Sequence, residues 1–300
     1  MHSIFVQIAS YEDPELFLTI QDALTKSSGL TTINFGVHAS YTNPNHFSVP
    51  IGSNTKVIHT TPPNNIGVAR SRLLADSFYD GEDFYLQVDA HSRFKKNWDE
   101  FLVYEYYRYK GLGIDSPLIT AYPMPFWYED GKEFYQDVDF VHTIDLTHDK
   151  QLFLDWRQPK QTQVINTKHS VFTPSVSAGS IFAKGKVPIP SEEVFFEGEE
   201  ITIAAMAYTR GYDIVLPQAP YMYHLYYSTY KDTDVKRKIV WQEWPDEYSR
   251  LNSISKDHIK NTFLNNVVGE GHLGDKRTLK EFSEFCGLDF ETGLVQPTCY

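Results

Sequence analysis

The triplet Asp89-Ala90-His91 sets a carboxylate and an imidazole one residue apart, directly after the apolar run over 84–88. In an extended segment alternate side chains point the same way, so the two groups converge on a single cation. Oxygen with nitrogen suits Mn²⁺, and such a site needs few protein ligands when phosphate oxygens complete the shell. The same triplet also reads as a capped turn beside a surface histidine. The acidic run Phe195-Phe196-Glu197-Gly198-Glu199-Glu200 precedes a helical pattern, where carboxylates are favoured by the helix dipole. It reads equally as capping and as a fixed carboxylate beside a reacting centre. His224, in Tyr223-His224-Leu225-Tyr226, taken by itself reads as a satisfied core histidine. Asn65-Ile66-Gly67-Val68-Ala69-Arg70 is a glycine-containing turn into a helix, which makes Arg70 and Arg72 local cations for a phosphate. It is neither a Walker loop nor a GxGxxG motif.

The elements that must carry these residues alternate. An apolar run over 4–9 predicts a strand, and Asp13-Pro14 then starts a helix, with Asp13 as N-cap and Pro14 in the first helical position. Residues 31–39 are β-branched and alternating, and 57–59 form a further short strand. After the turn at 62–65, Ala69, Leu73, Leu74 and Phe78 predict the apolar face of a helix closed by Asp80-Gly81. Residues 84–88 form a buried strand that delivers Asp89 and His91 to its carboxyl end, where open α/β sheets place ligands. A helix over 98–107, strands over 117–122 and 176–182, a helix over 199–208 ending at Gly211 and a strand over 213–216 complete the pattern. Residues 124–169 show no regular period and read as an insertion over the active face.

Composition bounds the function. At 300 residues, with no composition break or linker, a single domain over 1–300 is expected. Aromatics make up 15%, above the usual share; most fill core, and the remainder suit surfaces that receive sugars or peptides. A net charge of -12 and no long Lys/Arg run argue against a broad footprint on nucleic acid or anionic membrane. Two cysteines, Cys286 and Cys299, argue against a disulfide framework and point to a reducing, cytoplasmic setting. The first apolar run is too short and too uncharged at its start for a signal segment, and no span of 18 apolar residues occurs.

Order and spacing add a resemblance. GVARSRLLADSFYDGEDFYLQVDAHSRFKKNWDE, from Gly67 to Glu100, resembles the donor-binding region of the cytosolic polypeptide N-acetylglucosaminyltransferases that modify hydroxyproline, glycosyltransferase family sixty. IFVQIASYEDPE, FFEGEEITIAAMAYTRGYDIVLP, YHLY and GEGHLGDKRTLKEFSEFCGLDF are similar to that family too, and residues 123–174 are poorly covered. The resemblance implies an α/β, GT-A fold: a Rossmann-like, mixed nucleotide-binding sheet flanked by helices over about 1–120, and an acceptor-binding, catalytic half over about 121–300. It implies a UDP-sugar donor, retention of anomeric configuration, and a hydroxyl acceptor on a protein. Asp89, His91 and His224 would hold the Mn²⁺. In the related mucin-type polypeptide N-acetylgalactosaminyltransferases a glutamate lines the sugar site, and Glu199, with Glu200 beside it, matches it. Ala9, Ser10 and Tyr11 would meet uridine, Arg70 and Gln87 would lie near the nucleotide with Asp89, and Gly179 would face the sugar. Ala90 departs from the family's serine and Glu197 adds a charge. Rival readings are transfer to a hydroxylated nucleobase or a glycan, nucleotide-sugar hydrolysis or nucleotidyl transfer, and a carbohydrate-binding protein without activity.

Overall fold

The computed structural model describes residues 1–43, 52, 54–64, 66–146, 161–165, 171–226 and 237–293. Asn65 and Cys299 lie outside these residues, as does much of the segment after 146 to which no period was assigned.

The chain runs β1 (His2–Tyr11), α1 (Leu16–Thr25), β2 (Thr31–Ser40), β3 (Thr55–Thr60), α2 (Val68–Asp76), β4 (Phe84–Asp89), β5 (Ser92–Phe94) and α3 (Trp98–Gly111). It continues through β6 (Pro117–Thr120), β7 (Met124–Glu129), β8 (Lys132–Tyr135), β9 (His142–Leu146), β10 (Gln161–Ile165), β11 (Ser180–Lys184) and α4 (Glu199–Thr209). The last elements are β12 (Asp213–Val215), β13 (Met222–His224), α5 (Val240–Glu243), α6 (Pro245–Leu264) and α7 (Leu279–Cys286).

A seven-stranded sheet has the order β12-β6-β11-β4-β1-β2-β3. The β1, β2, β3 and β4 pairings are parallel, and β11 runs antiparallel between β4 and β6. Central strands covered on both faces need apolar residues on both, which is why β1 and β4 read as continuous apolar runs. Ile4, Val6, Ile8, Phe84, Leu86 and Val88 pack toward α1 and α3, with Leu16, Ile20, Trp98 and Leu102. Phe5, Tyr85 and Ile181 pack on the other face with Ala69 of α2 and Ile201 and Ala204 of α4. The chain proceeds outward from β1 to β2 and β3, then crosses back to β4 on the other flank. The β1/β4 boundary is therefore the switch point at which such sheets open a crevice, and the register sets Ala9 of β1 opposite Asp89 of β4 there.

A second sheet has the order β5-β13-β7-β8. Here β13 pairs antiparallel with β5, with His224 opposite Ser92, and parallel with β7, with His224 opposite Pro125. The strands over 124–135 therefore extend the sheet that carries His224.

Four expectations are corrected. First, α1 begins at Leu16 with Glu15 as N-cap, so Pro14 is not in the first helical position. Asp13 accepts from the Glu15 N–H at 2.9 Å through one oxygen while the other faces His91. Second, the buried face of α2 is Ala69, Ser71, Arg72, Ala75 and Asp76, whereas Leu73, Leu74 and Phe78 are half-buried. The helix is rotated because Arg72 has polar partners in the interior, described below. Third, the strand expected over 176–182 begins only at Ser180; Ala178 and Gly179 form a turn, since the backbone groups of Ala178 bond to side chains instead of a neighbouring strand. Fourth, β4 ends at Asp89, so His91 reaches Asp89 across a tight turn and not by alternation along a strand.

Candidate active site

The β4–β5 turn is fixed from three sides. Thr19 of α1 donates to the Ala90 carbonyl at 2.7 Å and accepts from the Ser92 N–H at 2.9 Å, and Ser92 Oγ donates to the Asp89 carbonyl at 2.9 Å. Ala90 is buried, so the residue that departs from the family pattern fills core and leaves its neighbours to face the crevice. The Leu225 N–H donates to the His91 carbonyl at 3.1 Å, locking β13 beside the turn.

That pairing brings Asp89, His91 and His224 together, with one ligand atom from each lying within 4.8 Å of the others. His224 Nε2 is 3.1 Å from Asp89 Oδ2, the two imidazole centroids are 4.5 Å apart, and His224 Nδ1 is buried with no hydrogen-bond partner. Burial alone would raise the Asp89 carboxyl, yet the hydrogen bond from His224 and the Arg72 charge outweigh it and hold the group well below the usual carboxylate range. Burial, reinforced by the neighbouring His91, pushes His224 down to about 4. An ionised carboxylate beside a neutral imidazole is a donor set that fits a divalent cation such as Mn²⁺. Gly179 makes room for it: a Cβ there would stand 2.6 Å from Asp89 Oδ2.

Arg72 enters from α2. Its side chain is 1% exposed; Nε donates to Glu199 Oε1 at 2.5 Å, and Nη2 lies 3.3 Å from Asp89 Oδ1 and 3.2 Å from the Ala178 carbonyl. Glu200 completes the brace, accepting from the Ala178 N–H at 3.0 Å and from the Tyr122 hydroxyl at 3.0 Å. Gln87 also donates to the Ala178 carbonyl, at 2.7 Å. Glu199, Glu200, Arg72 and Gln87 thus hold the Ala178-Gly179 turn against Asp89.

A cavity of about 460 Å³ opens over the trio, walled by Ala9, Ser10 and Tyr11 from β1, by Gly67 and Val68 at the start of α2, and by Phe196, Trp241 and Tyr248. Gly67 has φ +120° and a Cβ there would lie 2.9 Å from the Phe195 ring, so the α2 N-terminus and the 195–196 loop fit closely only with glycine. Arg237 and Lys238 also line the cavity. Arg237 lies 3.5 Å from Asp13 and donates to the Leu225 carbonyl at 2.6 Å; Lys238 lies 3.7 Å from Glu12. A larger depression of about 720 Å³ near Lys95 and Tyr221 does not reach the trio.

Of the residues singled out from sequence, Ala9, Ser10, Tyr11, Asp89, His91 and His224 share this cavity wall, and Gly179 backs Asp89. Gln87 is buried beneath it. Arg70 is exposed and 3.5 Å from Glu192, away from the cavity, whereas its neighbour Arg72 points inward. Glu197 accepts from the Tyr248 hydroxyl at 3.2 Å. Asp13, Arg237 and Lys238 were missed. Asp13 carried a signal, the Asp-Pro pair, which was read as a cap; Lys236-Arg237-Lys238 is the densest local cation run beyond residue 230.

A family model described as glycosyltransferase (GlcNAc) matches residues 38–270. No curated protein matches the chain. A crystal structure of GalNAc-T7 with UDP, GalNAc and Mn²⁺ is similar at TM-score 0.55 and 14% identity, over 94% of this chain and 54% of that one. This chain thus spans about half the length of that protein, and the likeness shows a shared fold, of the GT-A type. A structure of S. aureus TarS 1-349 in complex with UDP-GlcNAc aligns at TM-score 0.48 and 11% identity, over 96% of this chain and 71% of that one. Among the described residues no helix is long and apolar enough to cross a membrane.

Proposed function

This chain belongs to the glycosyltransferase (GlcNAc) family, and from that premise we propose that it transfers GlcNAc or a similar sugar, with retention, from a UDP-sugar to a hydroxyl on a protein. The observation that carries the reading is the convergence of Asp89, His91 and His224 on a cavity at the carboxyl ends of β1 and β4. GalNAc-T7, which shares the fold, has been crystallised with UDP, GalNAc and Mn²⁺, which supports the donor class and the ion.

In this reading Ala9, Ser10 and Tyr11 receive the uridine, and Arg237 and Lys238 face the diphosphate. Residues of about 1–120 form the nucleotide half and about 121–300 the acceptor half, with β11 and β12 of the second half completing the first half's sheet. Mn²⁺ held by Asp89, His91 and His224 would supply positive charge beside the oxygens on which charge develops as the diphosphate leaves. The hydrogen bond from His224 and the Arg72 charge keep Asp89 ionised, and Glu199 in turn fixes Arg72. Glu200 and Tyr122 hold the turn that presents the Gly179 backbone to the sugar. Since Glu199 is engaged by Arg72, it is not set to form a covalent bond to the sugar. The acceptor oxygen then bonds to the anomeric carbon on the face the leaving group departs from, the bond to the diphosphate breaks, and the acceptor proton passes to a departing phosphate oxygen. A prolyl hydroxyl and a Ser/Thr hydroxyl are the acceptors of choice.

A panel of UDP-sugars, read by UDP release with Mn²⁺ and with EDTA, tests donor and ion before the acceptor is known. One sugar should give cation-dependent release, and Asp89→Asn should lower it at least ~100-fold, from loss of both a ligand and a charge. Unchanged turnover in that variant removes the assignment. Product analysis with and without an acceptor protein separates transfer from hydrolysis.

A further inference from the structure

We infer that Asp13 is a positioning residue for the cation centre, fixing the His91 ring with its proton on Nδ1 so that Nε2 is the ligand atom. The inference rests on the reading of Asp89, His91 and His224 as a cation site and adds to it a residue outside that trio, on the wall of the same cavity.

Asp13 is 5% exposed, and both of its oxygens are used. Oδ1 accepts from the Glu15 N–H at 2.9 Å, and Oδ2 lies 2.8 Å from His91 Nδ1. A carboxylate only accepts, so the proton of this contact sits on Nδ1 and a neutral His91 ring presents an unprotonated Nε2. The Asp13 main chain is itself held, because the Tyr41 hydroxyl donates to its carbonyl at 2.6 Å. The carboxylate therefore sets both the tautomer and the angle of the ring before any ion arrives.

His224 lacks this support. Its Nε2 faces Asp89 and its Nδ1 is buried with no partner, so the two imidazoles of the site are not equivalent. Removing a carboxylate behind a ligating histidine typically weakens metal binding about 10–100-fold; here the supported ligand is His91, and Arg237 Nε, 3.5 Å from the same Oδ2, is the other group that loses a partner. Helix capping accounts for one oxygen only: Oδ1 takes the Glu15 N–H just before α1, whereas Oδ2 is turned away from the helix to His91.

Two measurements test this. Side-chain ¹⁵N NMR of the cation-free protein should show His91 as the Nδ1–H tautomer. Calorimetric titration of Mn²⁺ without nucleotide should show Asp13→Asn binding about 10–100-fold more weakly than wild type, and Asp13→Glu recovering part of that loss. A His91 ring protonated on Nε2 overturns the inference, even if the Asp13 variants do not fold. So does Mn²⁺ affinity in a folded Asp13→Asn equal to wild type. Those results leave the cation site standing, whereas a wild-type protein that binds no Mn²⁺ overturns the site and this inference together.

Discussion

Replacing Arg72 by methionine tests the electrostatics beneath the site directly. The Arg72 side chain is 1% exposed and Glu199, 2.5 Å away, is 8% exposed, so methionine conserves volume while leaving a buried carboxyl without its cation. Burial already raises the Glu199 carboxyl above its ordinary value, and Arg72 opposes that rise. Without Arg72 the carboxyl takes up a proton on folding. Protonating a carboxyl of ordinary pKa ~4.3 at pH 7 costs about 3–4 kcal/mol, which caps the penalty, and the cap falls to about 1 kcal/mol at pH 5. The upper figure agrees with the ~3–5 kcal/mol typical of breaking a buried pair. The sign follows from proton binding: the folded variant holds one proton more than the unfolded chain above pH ~4.3, so its stability falls as pH rises. Urea denaturation followed by tryptophan fluorescence should therefore show a deficit against wild type that grows from about 1 kcal/mol at pH 5 to about 3 kcal/mol at pH 7. Adding Glu199→Gln should flatten that dependence. A deficit independent of pH, or below ~1 kcal/mol at pH 7, refutes the argument that Arg72 chiefly compensates Glu199.

Two further outcomes follow from the same geometry. Gly179→Ala places a Cβ 2.6 Å from Asp89 Oδ2 without requiring a left-handed backbone, so Mn²⁺-dependent UDP binding should weaken at least ~10-fold with a small change in thermal midpoint; unaltered binding by calorimetry would show that Asp89 can yield. His38, buried with its nitrogens 2.6 Å from Ser71 Oγ and 2.9 Å from Thr60 Oγ1, is pushed down to about 4 by burial, aided by the charges of His59 and Arg70. The unfolded chain binds this proton near pH ~6.5 and the folded chain only near 4, so stability should drop by up to ~1.4 kcal/mol per unit as pH falls between these values. His38→Gln should remove that part of the slope, and identical urea midpoints against pH in the two proteins would dismiss it.

Much of the fold was written locally. Periodicity is a property of neighbouring residues, so the strands of the first ninety residues, the helices α3 and α4, and the delivery of Asp89 to a strand end were legible from apolar spacing and turn residues alone. The terminal helices had signals too: Thr278 and Glu281 form a capping box at the start of α7, although no element had been assigned there. What the chain could not declare locally was which polar group meets which. Arg70 and Arg72 sit in the same helix with equivalent credentials, and Glu199, 127 residues away, together with Asp89 and the Ala178 carbonyl, holds Arg72 inward while Arg70 stays in solvent. Asp13 looks like a cap until His91, 78 residues on, is folded against it. His224 becomes a partner of Asp89, 135 residues distant, only through the antiparallel register of β13 on β5. Burying a charge is costly unless a partner is already in place. Local spacing therefore specified the strands of the main sheet and the helices that cover it, while the packing of distant segments decided which carboxylates, imidazoles and guanidinium groups became a site.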